Sequence, residues 1–416
     1  MVLALATGGK RLSLGVSFGR GSGYDASAMA RNLPGTTEMI RRLVASPSVS
    51  AIDADLDQSN RGVIDLVAEF AEAAGFHVDV LPVPNAPGKC NLVARIGEGT
   101  GGLLLSGHTD TVPYDADDWT SDPFTLTERD GRLYGLGATD MKGFFGLALE
   151  AASSFERGAL RAPLTLLATA DEESTMAGAR ALAAHGPLGP SYAVIGEPTD
   201  LAPVSAHKGI IMERLELVGR SGHSSDPANG RSALEAMHRV LSALMAWRSE
   251  LERDFVDDRF TVPTPTMNFG RIEGGDAANR ICARCQLTLD LRPVPGLSQA
   301  VLRDELRLRV NDALAGTGVE ACFEEVFGGV PAFECPSTAA ILRAAEEFSG
   351  LEGRAVMFGT EGPYMQEMGM ETIVLGAGSI DVAHRPDEYL EIRQMEPGVR
   401  LYRKLIHRFC VEGDLG

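Results

Sequence analysis

PLTLLATADEESTMAGARALAAHGPLGPSYAVIGEPTD, residues 163–200, decides the fold class. An apolar run, PLTLLAT, ends abruptly in ADEEST. AGARALAAHG then carries helix-forming residues up to Gly186, and SYAVI is a second apolar run that ends in GEPTD. Strand, helix and strand in that order predict an α/β unit with a mostly parallel sheet. Both strand runs deliver acids at their carboxyl ends, Glu172 with Glu173 and Glu197, where sheets of this kind place their ligand crevice.

The same grammar extends outward. TTEMIRRLVAS (36–46), QSNRGVIDLVAEFAEAAG (58–75) and KGFFGLALEAASSFER (142–157) have helical periodicity, and Gly75 stands where a helix ends. HVDVLPV (77–83), NLVARIG (91–97) and GLLLSGHTD (102–110) are expected strands. From about residue 210 the pattern changes. MERLELVGR, SALEAMHRVLSALMAWRSEL, PTMNFGRIEG, ICARCQLTLDLRP, SQAVLRDELRLRVNDALAG and VEACFEEVF follow as βαββαβ, the split ferredoxin-like unit. Helix (TAAILRAAEEFSG), strand (TIVLGAG) and a final helix from Pro397 (PGVRLYRKLIHRF) complete the chain. The expected fold is therefore α/β, a mixed, mostly parallel sheet flanked by helices. Residues 34–209 and 330–416 form one domain, and an α+β ferredoxin-like domain is inserted at 210–329.

At 416 residues the chain can bury a large core and hold two domains. Its formal charge of −19 opposes nucleic acid or an anionic membrane as partner. Cys90, Cys282, Cys285, Cys322, Cys335 and Cys410 are scattered, which fits a reduced, cytoplasmic setting. Cys282 and Cys285 form a CxxC with no second pair to complete a zinc site, and are read as two incidental thiols on a strand. Residues 1–33, rich in Gly and Ser, are read as a flexible extension, and no stretch reaches membrane-span length.

Five side chains with affinity for metal stand at strand ends or in loops: His108 (SGHTD), Asp140 (LGATDMKG), Glu173 (TADEEST), Glu197 (VIGEPTD) and His384 (VAHRPDE). Two imidazoles and three carboxylates suffice for two zinc-class ions if one carboxylate bridges them. Asp110 is two residues from His108 on the same side of a strand end, where it could receive the second ring N–H. Glu172 is the adjacent acid available as a general base. Each motif also has a structural reading: a turn histidine, an aspartate capping a helix at Lys142, acids at a helix N-terminus, a glutamate in a turn, and His223 of GRSGHSSDP near a helix cap.

LLLSGHTDTVPYD, YGLGATDMKGFF, LLATADEESTMAGAR, VIGEPTDLAPVSAHKG, SGHSSDPANG, GGDAANRICARCQL, DLRPVPG and LGAGSIDVAHRPDEYLE resemble, in this order, the M20 family of co-catalytic zinc hydrolases. The similarity runs from about Thr36 to the C-terminus. It implies a zinc-exopeptidase-like catalytic domain with two divalent ions, zinc or substituting cobalt. His108 and Glu197 would hold one, Glu173 and His384 the other, and Asp140 would bridge. It further implies Glu172 as general base, Asp110 orienting His108, and a cis peptide after Asp140. His223 would reach the active site of a second subunit, in a homodimer formed through residues 210–329. Asn279, Arg292 and Thr360 would contact substrate, for which the forked guanidinium of Arg292 suits a carboxylate. The implied reaction is hydrolysis of an N-acyl amino acid. A desuccinylase, a dipeptidase or another deacylase of the family would share the metal site, and a non-catalytic binder would have no use for Glu172.

Overall fold

The computed structural model describes residues 33–412; the extension read at residues 1–33 lies outside them except for its last residue. Helices α1 (Thr36–Val44) and α2 (Arg61–Ala73) precede strands β1 (His77–Pro82), β2 (Cys90–Ile96) and β3 (Leu103–His108). Short strands β4 (Thr127–Arg129) and β5 (Arg132–Tyr134) lead to α3 (Lys142–Ala152), β6 (Leu164–Thr169), α4 (Ala177–His185), β7 (Tyr192–Ile195) and β8 (Val204–His207). Next come β9 (Ile211–Val218), α5 (Ala233–Asp254), β10 (Thr266–Gly274), β11 (Arg284–Arg292), α6 (Gln299–Leu314) and β12 (Glu320–Glu325). The chain closes with β13 (Phe333–Glu334), α7 (Ala340–Ser349), β14 (Arg354–Val356), α8 (Gly362–Glu367), β15 (Glu371–Val374), β16 (Tyr389–Glu391) and α9 (Ile392–Ile406).

The main sheet has the order β1-β2-β6-β3-β7-β15-β8-β13, with β14 beside β8. Its centre, β6-β3-β7-β15, is parallel, and antiparallel strands flank it on both sides. Every residue of β3, β6 and β7 is buried, as expected of parallel strands covered on both faces. Because the four central strands run the same way, their carboxyl ends share one edge. The loops carrying Asp110, Glu172 with Glu173, and Glu197 leave from that edge, and His384 follows β15.

The segment from β9 to β12 forms its own antiparallel sheet, ordered β10-β11-β9-β12. β9 and β11 alternate buried and half-exposed residues along their length, the mark of a sheet with one covered face. Leu215, Leu217, Leu287 and Leu289 pack there with Met237, Val240, Leu244 and Trp247 of α5 and Leu306 and Val310 of α6, in a core separate from that of the main sheet. The larger core joins residues from both sides of this segment, for example Phe145 and Leu167 with Ile373 and Tyr402.

Three local readings needed revision. The last helix starts at Ile392, with Pro397 inside it, because Ile392 and Met395 have core to pack against. β11 starts at Arg284, so Cys282 precedes the strand; Cys285 is buried, and both thiols are free. The α5 cap is Ser232, whose side chain accepts the Glu235 N–H, so His223 is not a capping residue. No helix among the described residues is long and apolar enough to cross a membrane.

Candidate active site

Buried strand ends position the predicted ligands. His108 closes β3 and pairs in register with Thr169 of β6, and it is 1% exposed. Its Nδ1 lies 3.0 Å from the main-chain oxygen of Asp110. A carbonyl can only accept, so Nδ1 carries the hydrogen and Nε2 faces the cluster. The Asp110 carboxylate is 3.7 Å from Nδ1, beyond hydrogen-bond range. It accepts the Glu173 N–H through Oδ2 at 3.0 Å instead, tying the two motifs together.

Asp140 lies between the two histidines. Its Oδ1 is 3.1 Å from His108 Nε2, and its Oδ2 is 3.2 Å from His384 Nε2. Glu173 Oε1 is 3.0 Å from the same His384 nitrogen, and Glu197 Oε1 is 3.8 Å from His108 Nε2. One carboxylate thus serves two imidazoles, each with an acid of its own. Donor atoms of His108, Glu172 and Glu197 lie within 4.8 Å of one another, as do those of His108, Asp140 and Glu173. Two donors on one tetrahedral ion with bonds near 2 Å are separated by about 3.3 Å, so the closest pairs already have ligand spacing. The peptide bond Asp140–Met141 is cis.

The electrostatics fit a cationic occupant. Burial and then the charge of Glu197 push Glu172 well above the ordinary carboxyl range. Burial and then Asp140 do the same to Glu197, and burial with Asp140 raises Glu173. Burial also opposes ionisation of Asp140, but hydrogen bonds from His108 and His384 outweigh it and hold this acid low. Hydrogen bonds to Asp140 and Glu173 lift His384 to about 11. Burial disfavours a charged His108, yet the bond to Asp140 and the nearby Glu197 overcome it. Crowded carboxylates facing two imidazoles through Nε2 make a donor set that would suit divalent metal.

The loops bearing these groups are tightly held. Asp171, immediately before Glu172, has φ +58°, and His384 also has φ +58°; both are left-handed conformations that non-glycine residues seldom adopt. Asp171 is kept there by Lys89 Nζ at 2.6 Å and by the Ser50 hydroxyl, which donates at 3.0 Å. Met176 occupies the N-cap position of α4, so Glu172 and Glu173 lie outside the first turn of that helix.

The remaining candidates bond to other residues than those of this cluster. His223 and Asn279 are exposed in the loops of the inserted segment, where His223 bridges to Arg280 and the Ser224 N–H bonds to the Asn279 carbonyl. Arg292 ends β11, and its Nε donates to Asp290 at 2.9 Å. Thr360 is buried, and its N–H donates to His207 Nε2 at 3.2 Å. Lys89, Lys142, Glu361 and Glu388 were not anticipated. Each is almost fully buried; Lys89, Lys142 and Glu361 signal only as charges inside apolar or glycine-rich stretches, and Glu388, among the charges of HRPDEYLE, has no signal of its own.

Residues 104–408 match the family model described as Peptidase family M20/M25/M40. This chain belongs to that family. Acetylornithine deacetylase of Proteus mirabilis is 46% identical over 379 residues, 91% of this chain and 98% of the relative. The enzyme of the same name from Yersinia pseudotuberculosis is 47% identical over 387 residues, covering 92% and 99%. Among solved structures, a tripeptidase from Staphylococcus aureus superposes with a TM-score of 0.68 at 19% identity, over 90% of this chain and 98% of that one. A dinuclear metal-binding peptidase of the M20 family from Bacillus subtilis gives 0.61 at 17% identity, over 89% and 96%. Like other members of the family, the chain is a hydrolase acting on amides.

Proposed function

We propose that the chain hydrolyses N2-acetyl-L-ornithine to L-ornithine and acetate, a step that would supply arginine synthesis. The substrate name rests on the likeness, at 46–47% identity across more than nine-tenths of both chains, to proteins named for that reaction. The reaction class is carried by one observation: the Asp140 carboxylate shared between His108 and His384, with Glu172 beside the same donors.

His108 with Glu197, and Glu173 with His384, would each hold a divalent ion, zinc or substituting cobalt, with Asp140 between the two sets; when bound, such ions would supply Lewis-acid polarisation of water and of the amide carbonyl. Glu172 takes the proton of the attacking water as its oxygen bonds to the acetyl carbon. It returns that proton to the amine nitrogen as the C–N bond breaks. A carboxyl raised by burial beside Glu197 is suited to hold the proton between these two events. Arg292, oriented by Asp290, would receive the substrate carboxylate, with Asn279 and Thr360 completing the contacts.

With zinc-loaded protein, kcat/KM for acetylornithine should exceed that for succinyl-diaminopimelate, acetylcitrulline and simple dipeptides by tenfold or more. A tenfold preference for the succinyl substrate would end the specific assignment while leaving the reaction class standing.

In this reading residues 210–329 dimerise, and His223 donates to the oxyanion in the partner's site. The exposure of His223, which bonds to Ser225 and not to the donor cluster of its own chain, supports that role. Loss of an oxyanion donor costs about a hundredfold to a thousandfold in kcat, so His223→Ala should be impaired to that extent. Mixing unfolded His223→Ala with unfolded Glu172→Gln and refolding them together should restore activity, because one site of each heterodimer is then complete. A monomer with full activity, or no recovery on mixing, would place His223 elsewhere.

A further inference from the structure

We propose that Glu388 is a positioning residue, the post around which the Asp140 loop turns so that Asp140 can serve both ions. The inference rests on Asp140 bridging, as read above, and assigns a role to a residue that touches neither substrate nor metal.

Glu388 is 1% exposed. Its Oε1 accepts the N–H groups of Thr139 at 2.8 Å and Asp140 at 3.0 Å, and its Oε2 accepts that of Gly137 at 3.1 Å. Three main-chain donors of a four-residue loop therefore converge on one carboxylate, and one of them belongs to Asp140 itself. The same stretch of chain is clamped twice more. The Gly135 N–H donates to the Glu388 carbonyl at 3.0 Å, and the Thr139 hydroxyl donates to the Tyr389 carbonyl at 2.7 Å. Beyond these, β16 pairs with β5, with Tyr389 opposite Tyr134.

Beneath the loop runs the fully buried Lys142, whose Nζ donates to the Ser46 carbonyl at 2.8 Å. Gly137 has φ +79°, and a Cβ there would come within 3.1 Å of Lys142 Cδ and 2.9 Å of Thr111 Cγ2. The loop is thus confined between a carboxylate above and an aliphatic stem below. His384 lies four residues before Glu388, so the group that fixes the Asp140 main chain is in the same segment as the histidine facing Asp140 Oδ2.

A glutamine in place of Glu388 keeps the shape but presents an amide donor to main-chain donors, so at least one N–H loses its acceptor and meets another N–H. Removing a partner that orients a metal ligand lowers metal affinity by about 10–100-fold.

The test measures zinc stoichiometry and affinity by competition with a chromophoric chelator, the visible spectrum of the cobalt form, and thermal unfolding of the metal-free protein. These are compared for wild type, Glu388→Gln, Glu388→Asp and, as control, Asp140→Ala. Wild type should bind two ions. Glu388→Gln should bind at least one of them 10–100-fold more weakly, with an altered cobalt spectrum, and Glu388→Asp should fall between. Substrate KM at saturating zinc should change less than kcat.

If wild type fails to bind two ions, or Asp140→Ala binds them normally, the bridging role of Asp140 fails. If these controls hold but Glu388→Gln matches wild type in affinity and spectrum, the positioning role is wrong, whatever happens to metal-free stability. Should Glu388→Gln not fold, Glu388→Asp carries the same comparison. Failure of both to fold would overturn positioning in favour of a purely structural role.

Discussion

Glu172→Gln should lose between about a hundredfold and ten-thousandfold in kcat, the range over which a general acid–base group contributes, while binding its full complement of metal. The double signature follows from where Glu172 sits. Its donor atom lies within 4.8 Å of those of His108 and Glu197, so the amide fills the same space. The surroundings nonetheless oppose the charge of Glu172, through burial and then Glu197. Removing that charge relieves repulsion among the acids. The metal-free variant should therefore unfold at a temperature no lower than metal-free wild type, although turnover has collapsed. Zinc content by atomic absorption, kcat with acetylornithine, and thermal unfolding after chelation are the three measurements. Activity near wild type would take the base role from Glu172, and a lost zinc ion would make it a ligand.

Chelation should abolish activity and lower the unfolding temperature, with zinc restoring both. An ion that binds only the folded state at a thousandfold excess over its dissociation constant contributes about 4 kcal/mol per site. The cluster has a further reason to respond. Without cations, His108 Nε2 faces Asp140 and Glu197, and neighbouring acids favour the protonated form of both histidines. Binding metal requires the neutral ring, so protons must leave as the ion enters. Calorimetric titration in two buffers of different ionisation enthalpy should show net proton release, and affinity should weaken as pH falls because protons compete for the same nitrogens. Equal heats in both buffers, or an unfolding temperature indifferent to chelation, would argue against a metal pair at this site.

The framework was legible because its signals are local. Apolar runs ending in acids marked β3, β6 and β7, and Gly75 and Gly186 stopped helices where expected. The βαββαβ order was readable because each of its elements is long enough to show its own period. Short pieces such as β4, β5, β8, β13, β14 and β16 were not legible, since two to four residues show no period and exist only because a neighbour supplies hydrogen bonds. The five ligand candidates stood out as polar residues breaking apolar or glycine-rich stretches. What could not be read was how Asp140 divides its two oxygens between the histidines, or which atoms of Asp110 serve His108. Lys89 and Glu388 escaped for the same reason: their partners are distant in sequence, Asp57 and Asp171 for Lys89 and the main chain of residues 137–140 for Glu388, and meet them only in three dimensions.

The order of the main sheet also says something about how the chain must be put together. β15 lies between β7 and β8, although those two strands are made consecutively and β15 only after the whole inserted segment. Until residue 374 has left the ribosome the middle of the sheet is a slot, with hydrogen-bonding edges on either side and nothing to fill it. The second histidine lies only ten residues beyond that closing strand. Synthesis therefore delivers the closing strand before the second imidazole, and the donor cluster is among the last parts of the fold that can exist.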